Sequence, residues 1–414
     1  MAIVVIGGGQ AAAQTCASLR SEKYTGEMIV IADEPYLPYQ RPPLSKQYLA
    51  GEQNEERLFL RSEKFYEAQN IQLELGERVT RINRSDKEVA TESGRNFSYD
   101  KLVLCTGSRA RKLNISGSDL KGIHYLRSLD DVKAIRADMQ PGKNLAIVGG
   151  GYIGLEVGAV AIKAGLKVTI IEMEERILKR VTTPELSEFY DQLHTSAGIN
   201  ILTKTAVSGF VASQDSGDRV GGVSCASGTD IAADIVIVGI GIIPNIELAV
   251  EADIDCENGI LVDDHCCTSD ADIYAVGDCT NHPNALLNRR LRLESVPNAM
   301  EQARVAAANI QGNEKTYCSM PWFWSDQYDL KLQMSGFSTG ADQHITRGSI
   351  EEQQFLTFHL KAGVLVGVDS VNCPKEFLAC KKLVEQGARD GTKLDPARMA
   401  DAAIPINEIQ ESTE

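Results

Sequence analysis

One arrangement of residues occurs twice in this chain and limits its possible folds more than any other feature. A β-branched run, Ile3-Val4-Val5-Ile6, leads straight into Gly7-Gly8-Gly9-Gln10-Ala11-Ala12. An apolar-periodic stretch follows to Leu19, then a second buried run, Met28-Ile29-Val30-Ile31-Ala32, ends in Asp33-Glu34. The order returns as Leu145-Ala146-Ile147-Val148, Gly149-Gly150-Gly151-Tyr152-Ile153-Gly154, a helical stretch to Gly165, a strand over 167–171 and Glu172. Strand, glycine turn, helix, strand and terminal acid make up a dinucleotide-binding fingerprint. The glycines let backbone amides approach a pyrophosphate at the positive end of the helix, while the acid takes ribose hydroxyls. A lone glycine turn is weak evidence, but two in full context predict an α/β chain with two Rossmann-like domains. The candidate contacts are Gly7, Gly9, Ala11, Ala12, Asp33 and Glu34 in the first, and Gly149, Gly151, Ile153, Gly154 and Glu172 in the second. A carboxylate at Glu172 repels a 2′-phosphate, so NAD is favoured over NADP there. Arg176 and Arg180 lie close behind it, placed to stack on an adenine or to hold a phosphate.

Composition narrows the function classes. A chain of 414 residues with 43% hydrophobic content can build two or three domains, each with its own core. A net charge of −15 argues against generic nucleic-acid binding. The first strand begins at residue 2 or 3, which leaves no room for a signal peptide, and the most apolar region is interrupted by glycines and charges. A cytoplasmic protein without a membrane span is the expectation, as monomer or dimer. The ten cysteines contain no C-x-x-C and no C-x-x-x-x-C, and none falls between Cys16 and Cys105. They read as small buried hydrophobes in a reducing compartment, and His265-Cys266-Cys267 does not complete a metal site.

Several further residues stand out along the chain. Pro42 and Pro43 forbid helix before Leu44, so a short helix is expected from there, with Lys46 near its first turn. A solvated lysine is the plainer reading of Lys46. Strands are expected over 69–75 and 79–82, then a hairpin over 89–99. A buried strand ends in Thr106-Gly107, and another closes the second nucleotide domain near Gly241. Glu156 lies in the first turns of an otherwise apolar helix, on the face of Tyr152, Ile153 and Val160, where a carboxylate is costly unless paired. It answers the helix dipole, or it pairs with a lysine, for which Lys46 is the candidate. Such a pair could orient a hydride donor. Asp278, after a strand and Gly277, suits ribityl hydroxyls of a flavin chain. Arg289, Arg290 and Arg292 form a basic cluster on an acidic protein, and Arg109, Arg111 and Lys112 form another. Each is either a solvated face or a dock for an acidic partner. From Met320 the composition changes, and the only two tryptophans, Trp322 and Trp324, open what reads as an α+β domain.

The fingerprints, Arg41-Pro42-Pro43-Leu44-Ser45-Lys46, Gly151-Tyr152-Ile153-Gly154-Leu155-Glu156, Gly277-Asp278-Cys279, Glu294-Ser295-Val296-Pro297-Asn298 and Pro321-Trp322-Phe323-Trp324-Ser325-Asp326-Gln327 come in one order. Essentially the whole chain resembles the NADH-dependent ferredoxin reductases that serve bacterial oxygenases. The resemblance implies a glutathione reductase-like fold without its disulfide. The FAD-binding domain (1–113 and 245–319) is interrupted by an NAD-binding domain (114–244) and followed by an α+β interface domain (320–414). It implies that Asp33 and the loop from Gly7 to Ala12 hold FAD, with Arg41, Thr106 and Gly107 nearby. Lys46 and Glu156 would pair at the flavin, Tyr152 would gate the nicotinamide side, and Val79 and Arg127 would contact FAD. Asp278 would bind the ribityl-pyrophosphate region, Val296 would offer its backbone to the ring, and Trp324 would lie by the flavin edge. The implied activity is hydride transfer from NADH to FAD, then single electrons to a 2Fe-2S ferredoxin that feeds a haem-thiolate monooxygenase or a Rieske-type oxygenase. An NADH oxidase or peroxidase and an NADH-sensing flavoprotein share the scaffold. The absence of a cysteine between Cys16 and Cys105 speaks against the first, and the short chain without a basic tail against the second.

Overall fold

The computed structural model describes residues 1–409. The chain forms two compact units, each built from three stretches: Met1–Arg41, Glu55–Arg109 and Ile242–Phe323 in the first, and Pro42–Asn54, Ala110–Gly241 and Trp324–Glu414 in the second.

The first unit is organised by a five-stranded parallel sheet in the order Ile273–Ala275, Lys101–Leu104, Ala2–Ile6, Glu27–Ala32, Ile71–Leu75. Its central strand is buried on both faces, as the unbroken run of β-branched residues requires. On one face the helices Gln10–Ser21 and Val296–Ile310 pack through alanines, among them Ala12, Ala303, Ala306 and Ala307, all fully buried. Their small side chains let two helices run close against one sheet. On the other face a cluster of Val79, Ile82, Val89, Ala249 and Ile254 closes the core.

The second unit repeats the device. Its parallel sheet runs Asn200–Leu202, Lys167–Ile171, Asn144–Val148, Ile235–Val238, Ile123–Tyr125. The helix Tyr152–Lys163 follows the central strand. After it, Thr183 caps the helix Pro184–Ser196 by accepting from the Leu186 amide. The C-terminal part is a five-stranded sheet, largely antiparallel, against the amphipathic helix Pro374–Asp390, which ends at Gly391 with φ +72°.

Local differences from the sequence reading have simple causes. No α-helix starts at Leu44; Pro42–Ser45 is a 3-10 turn. The turn is closed by the Lys46 amide, which donates to Pro43 O three residues back at 3.0 Å. The strand expected over 69–75 begins only at Ile71, because Asn70 adopts φ +48° to end the preceding helix. The hairpin over 89–99 is the pair Glu88–Thr91 and Asn96–Ser98.

Candidate dinucleotide sites and a buried carboxylate

The two glycine turns have the same construction. Gly7 donates to Ile31 O at 2.8 Å and Gly149 to Ile171 O at 2.8 Å, which fixes each turn to the second strand of its unit. Both first glycines have positive φ, +125° and +111°, and a Cβ on either would lie within 2.4 Å of a carbonyl oxygen of the opposing strand end. The third glycines are different. Gly9 and Gly151 are the N-caps of their helices, neither helix has a side-chain cap, and a Cβ on either would meet nothing within 4 Å. Open space over an uncapped helix N-terminus is what a pyrophosphate needs, so both turns fit a dinucleotide.

The acids are used differently. Glu172 turns inward: its Oε2 accepts the Gly150 amide at 2.7 Å and its Oε1 the Glu174 amide at 2.8 Å. In the first unit Asp33 is exposed, whereas Glu34 pairs with Arg41 at 2.6 Å and accepts from the Tyr39 hydroxyl. Arg176 donates to the backbone carbonyls of Lys179, Thr182 and Thr183, which fixes its guanidinium over that loop. Arg180 is exposed.

Other candidates of the first unit gather near the carboxyl ends of its strands. Thr106 and Asn245 exchange hydrogen bonds, Oγ1 to Asn245 O at 2.7 Å and Asn245 Nδ2 to Thr106 O at 2.9 Å. Gly107 supplies φ +61° for that corner. Asp278 accepts from Ser108 Oγ at 2.9 Å, Val79 is buried, and Val296 is the first residue of the helix capped by Ser295. Gly277 donates to Gln302 Oε1, a buried partner without any signal in the sequence pattern.

In the second unit the structure brings Lys46 and Glu156 together. Glu156 is 2% exposed, and its Oε2 accepts Lys46 Nζ at 2.7 Å and Ser45 Oγ at 2.5 Å. Its Oε1 accepts Ser325 Oγ at 2.6 Å. A carboxylate inside an apolar helix is thus compensated by one cation and two hydroxyls. Ser45 and Ser325 stand inside motifs noticed for other residues; a neutral hydroxyl leaves no charge or periodicity signal. Of the residues on the expected face, Ile153 points outward and is 43% exposed, while Tyr152 turns its hydroxyl to Met334 Sδ, burial pushing its pKa well up. Arg127 precedes the capping box of Ser128 and Asp131, its amide also donating to Asp131 at 3.0 Å, and Trp324 is half-buried. Gly241, with φ +104°, is exposed at the end of its strand.

Comparison with known proteins gives this geometry a family. Residues 1–303 match the pyridine nucleotide-disulphide oxidoreductase family and residues 322–410 the reductase C-terminal family. The chain belongs to both families. It is 43% identical to putidaredoxin reductase CamA of Pseudomonas putida, over 98% of this chain and 96% of that one. It is 42% identical to the 5,5'-dehydrodivanillate O-demethylase ferredoxin reductase subunit of a Sphingobium species, over 98% and 97%. Among solved structures, the ferredoxin reductase for the CYP199A2 system of Rhodopseudomonas palustris superposes with a TM-score of 0.94 at 38% identity, covering 99% of this chain and 100% of that one. The covalent putidaredoxin reductase–putidaredoxin complex superposes with a TM-score of 0.93, covering 98% and 97%. The protein is an FAD-dependent oxidoreductase that uses NAD(H), with the two-domain Rossmann-like fold and C-terminal reductase domain of that group.

One feature of the pyridine nucleotide-disulphide oxidoreductases is missing from this member. All ten cysteines are free, and burial pushes Cys16 and Cys380 up to about 12 and Cys105 well above the ordinary thiol range. These three thiols are poor nucleophiles at neutral pH. Among the described residues no group of three or more His, Cys, Asp or Glu is placed to hold a metal ion, and no helix is long and apolar enough to cross a membrane.

Proposed function

We propose that the protein is an NADH:ferredoxin reductase that supplies single electrons to a 2Fe-2S ferredoxin of an oxygenase system. The observation that carries this reading is a two-nucleotide reductase scaffold without a reactive thiol pair. Electrons that enter from NADH have no disulfide to reduce, so they leave to an external carrier. Relatives named as ferredoxin reductases over almost the entire chain support the same reading. When bound, the flavin links a two-electron hydride donor to a one-electron acceptor.

Each unit contributes identifiable groups. In the first, the turn from Gly7 to Ala12 takes the FAD pyrophosphate on backbone amides, Asp33 takes the adenosine ribose, and Asp278 takes the ribityl hydroxyls. Val79 and Val296 line the ring. In the second, the turn from Gly149 to Gly154 takes the NADH pyrophosphate, and Glu172 takes its ribose and excludes a 2′-phosphate, so NADH is preferred to NADPH. The fixed ammonium of Lys46, held by Glu156, orients the hydride donor; Tyr152 gates its approach, and Trp324 excludes water.

The ferredoxin dock is proposed on the exposed arginines. Arg290 is tied to Val262 O and Asn281 O, and Arg292 pairs with Glu294 at 2.7 Å, so both also hold the local fold. Arg109 pairs with Glu247 at 2.7 Å, whereas Arg111 is exposed. Reversing the charge of Arg289 and Arg111 is expected to raise the apparent KM for ferredoxin while NADH-to-ferricyanide activity stays unchanged. Equal losses in both assays sink the dock.

The reading itself is tested by anaerobic mixing with one equivalent of NADH and then oxidised ferredoxin. Bleaching of the flavin, followed by recovery of its colour as ferredoxin is reduced, is the expected result. Bleaching that ferredoxins do not discharge, but oxygen or peroxide does, points to the oxidase instead.

A further inference from the structure

The hydrogen bonds of Glu156 do not end at Ser325. Gln327 Nε2 donates to Ser325 Oγ at 3.2 Å, and Gln327 Oε1 lies 2.8 Å from His194 Nε2. His194 Nδ1 is 3.1 Å from the Tyr328 hydroxyl. Ser325, Gln327 and His194 are each no more than 1% exposed. Ser325 and Gln327 are two apart on the strand Trp322–Gln327, hence on one face, and His194 is on the helix Pro184–Ser196. The sequence reading passed over His194 altogether.

We propose that Ser325, Gln327 and His194 form a hydrogen-bond chain of fixed polarity that positions the Glu156 carboxylate, and through it the Lys46 ammonium, for hydride transfer. The proposal rests on the reading that the Lys46–Glu156 pair serves that step. Its polarity follows from what each group can do. A carboxylate only accepts, so Ser325 spends its one proton on Glu156 and must itself accept from beyond. Only the NH₂ side of Gln327 can give to it, which leaves the amide oxygen facing His194. That oxygen requires a proton on His194 Nε2, and in a neutral ring Nδ1 then accepts from Tyr328. Burial pushes the His194 pKa down to about 4, in keeping with a neutral ring. Turning the Gln327 amide over would face its NH₂ with the protonated nitrogen and draw the Ser325 proton off Glu156. The amide also makes the chain a poor proton wire. It is a clamp, and these are positioning residues.

The test uses the FAD-loaded protein and two readouts. One is the limiting rate of flavin bleaching by NADH. The other is the rate at which acetic anhydride acetylates Lys46, followed by peptide mass spectrometry, with Lys121 as the exposed control. Ser325→Ala is expected to slow bleaching about tenfold and to speed Lys46 acetylation about tenfold, with the NADH KM and Lys121 labelling unchanged. Ser325→Thr keeps the hydroxyl and restores both. Gln327→Glu keeps the shape but can only accept from Ser325, so it behaves like Ser325→Ala. Wild-type values in Ser325→Ala, no rescue by threonine, or an equal rise at Lys121 would each overturn the clamp. If Lys46→Met bleaches at the normal rate, the role of the pair in hydride transfer is lost, while the acetylation result still decides whether the chain fixes Lys46.

Discussion

The two fingerprints of this protein put different residues in equivalent places. Aligning Gly9 with Gly151 sets Gln14 opposite Glu156 and Ala12 opposite Gly154. Gln14 is half-buried and reaches only to Ser18 on its own helix, at 2.9 Å. Glu156 is buried and gathers hydroxyls and a cation from two other segments of the chain. The scaffold therefore does not need a charge at this place. The buried carboxylate of the second helix is instead fitted to the cation and hydroxyls it holds, in keeping with the proposed role of the Lys46 pair. The smaller difference is steric. A Cβ on Gly154 would sit 2.2 Å from Gly149 O, whereas Ala12 fits its turn with no exposure.

Four sets of measurements break or sharpen this comparison. The largest effect is expected from Glu156→Gln, which strands a nearly buried ammonium; about 3 kcal/mol of stability is lost in denaturant titration, with slow flavin bleaching. Gln14→Glu, its counterpart, shifts stability by no more than about 0.5 kcal/mol. If both cost the same, the asymmetry is only packing. Next comes Gly154→Ala. The backbone oxygen it meets cannot move aside cheaply, so about 2 kcal/mol and most NADH affinity are lost, whereas Ala12→Gly costs about 1 kcal/mol and leaves FAD bound.

The third concerns pH. His282 in the first unit and His194 in the second are fully buried, as His359 of the second nearly is, and burial depresses His282 and His194 to about 4 from 6.5, with Arg290 adding to the effect at His282. Between those values the unfolded chain binds protons that the folded chain refuses. Stability is therefore full above pH 6.5, falls as the pH drops, and levels off below about 4. Roughly 2 kcal/mol per histidine is expected to go between pH 7 and pH 5. Among the described residues the two nitrogens of His282 have no hydrogen-bond partner, so His282→Phe, edge-on to Tyr317, is expected to remove its share of the slope; an unchanged slope refutes the assignment. The smallest effect is expected at the ribose acids. Glu172→Gln raises the NADH KM about fivefold, because Gly150 keeps a partner but the charge is lost, and Asp33→Asn weakens FAD retention by less.

The sequence made the scaffold readable because its signals are local. Both glycine turns, the acids behind them and the strands around them lie within about thirty residues, where periodicity and turn chemistry operate. Glu156 was conspicuous for the same reason: one charge in an apolar stripe needs no partner to be noticed. Its partners were another matter. Lys46 is named by the family motif around Arg41-Pro42-Pro43 and not by any local pattern that points to Glu156, and Ser45, Ser325, Gln327 and His194 are neutral groups whose meaning lies in who faces them. Glu34 illustrates the opposite limit. It fits a ribose acid by position, yet the structure commits it to Arg41 and Tyr39, which no spacing rule foretells.

The carboxylate also bears on how such reductases can be recombined. Its hydrogen-bond partners are residues 45, 46 and 325, so one of them resides in the segment that matches a separate C-terminal family. Exchanging that segment between relatives to retarget the electron carrier would replace Ser325 and the strand that aims it. A chimaera joined after Gln327, with Ser325 and Gln327 left on the parental side, keeps the carboxylate supplied while the remainder is varied.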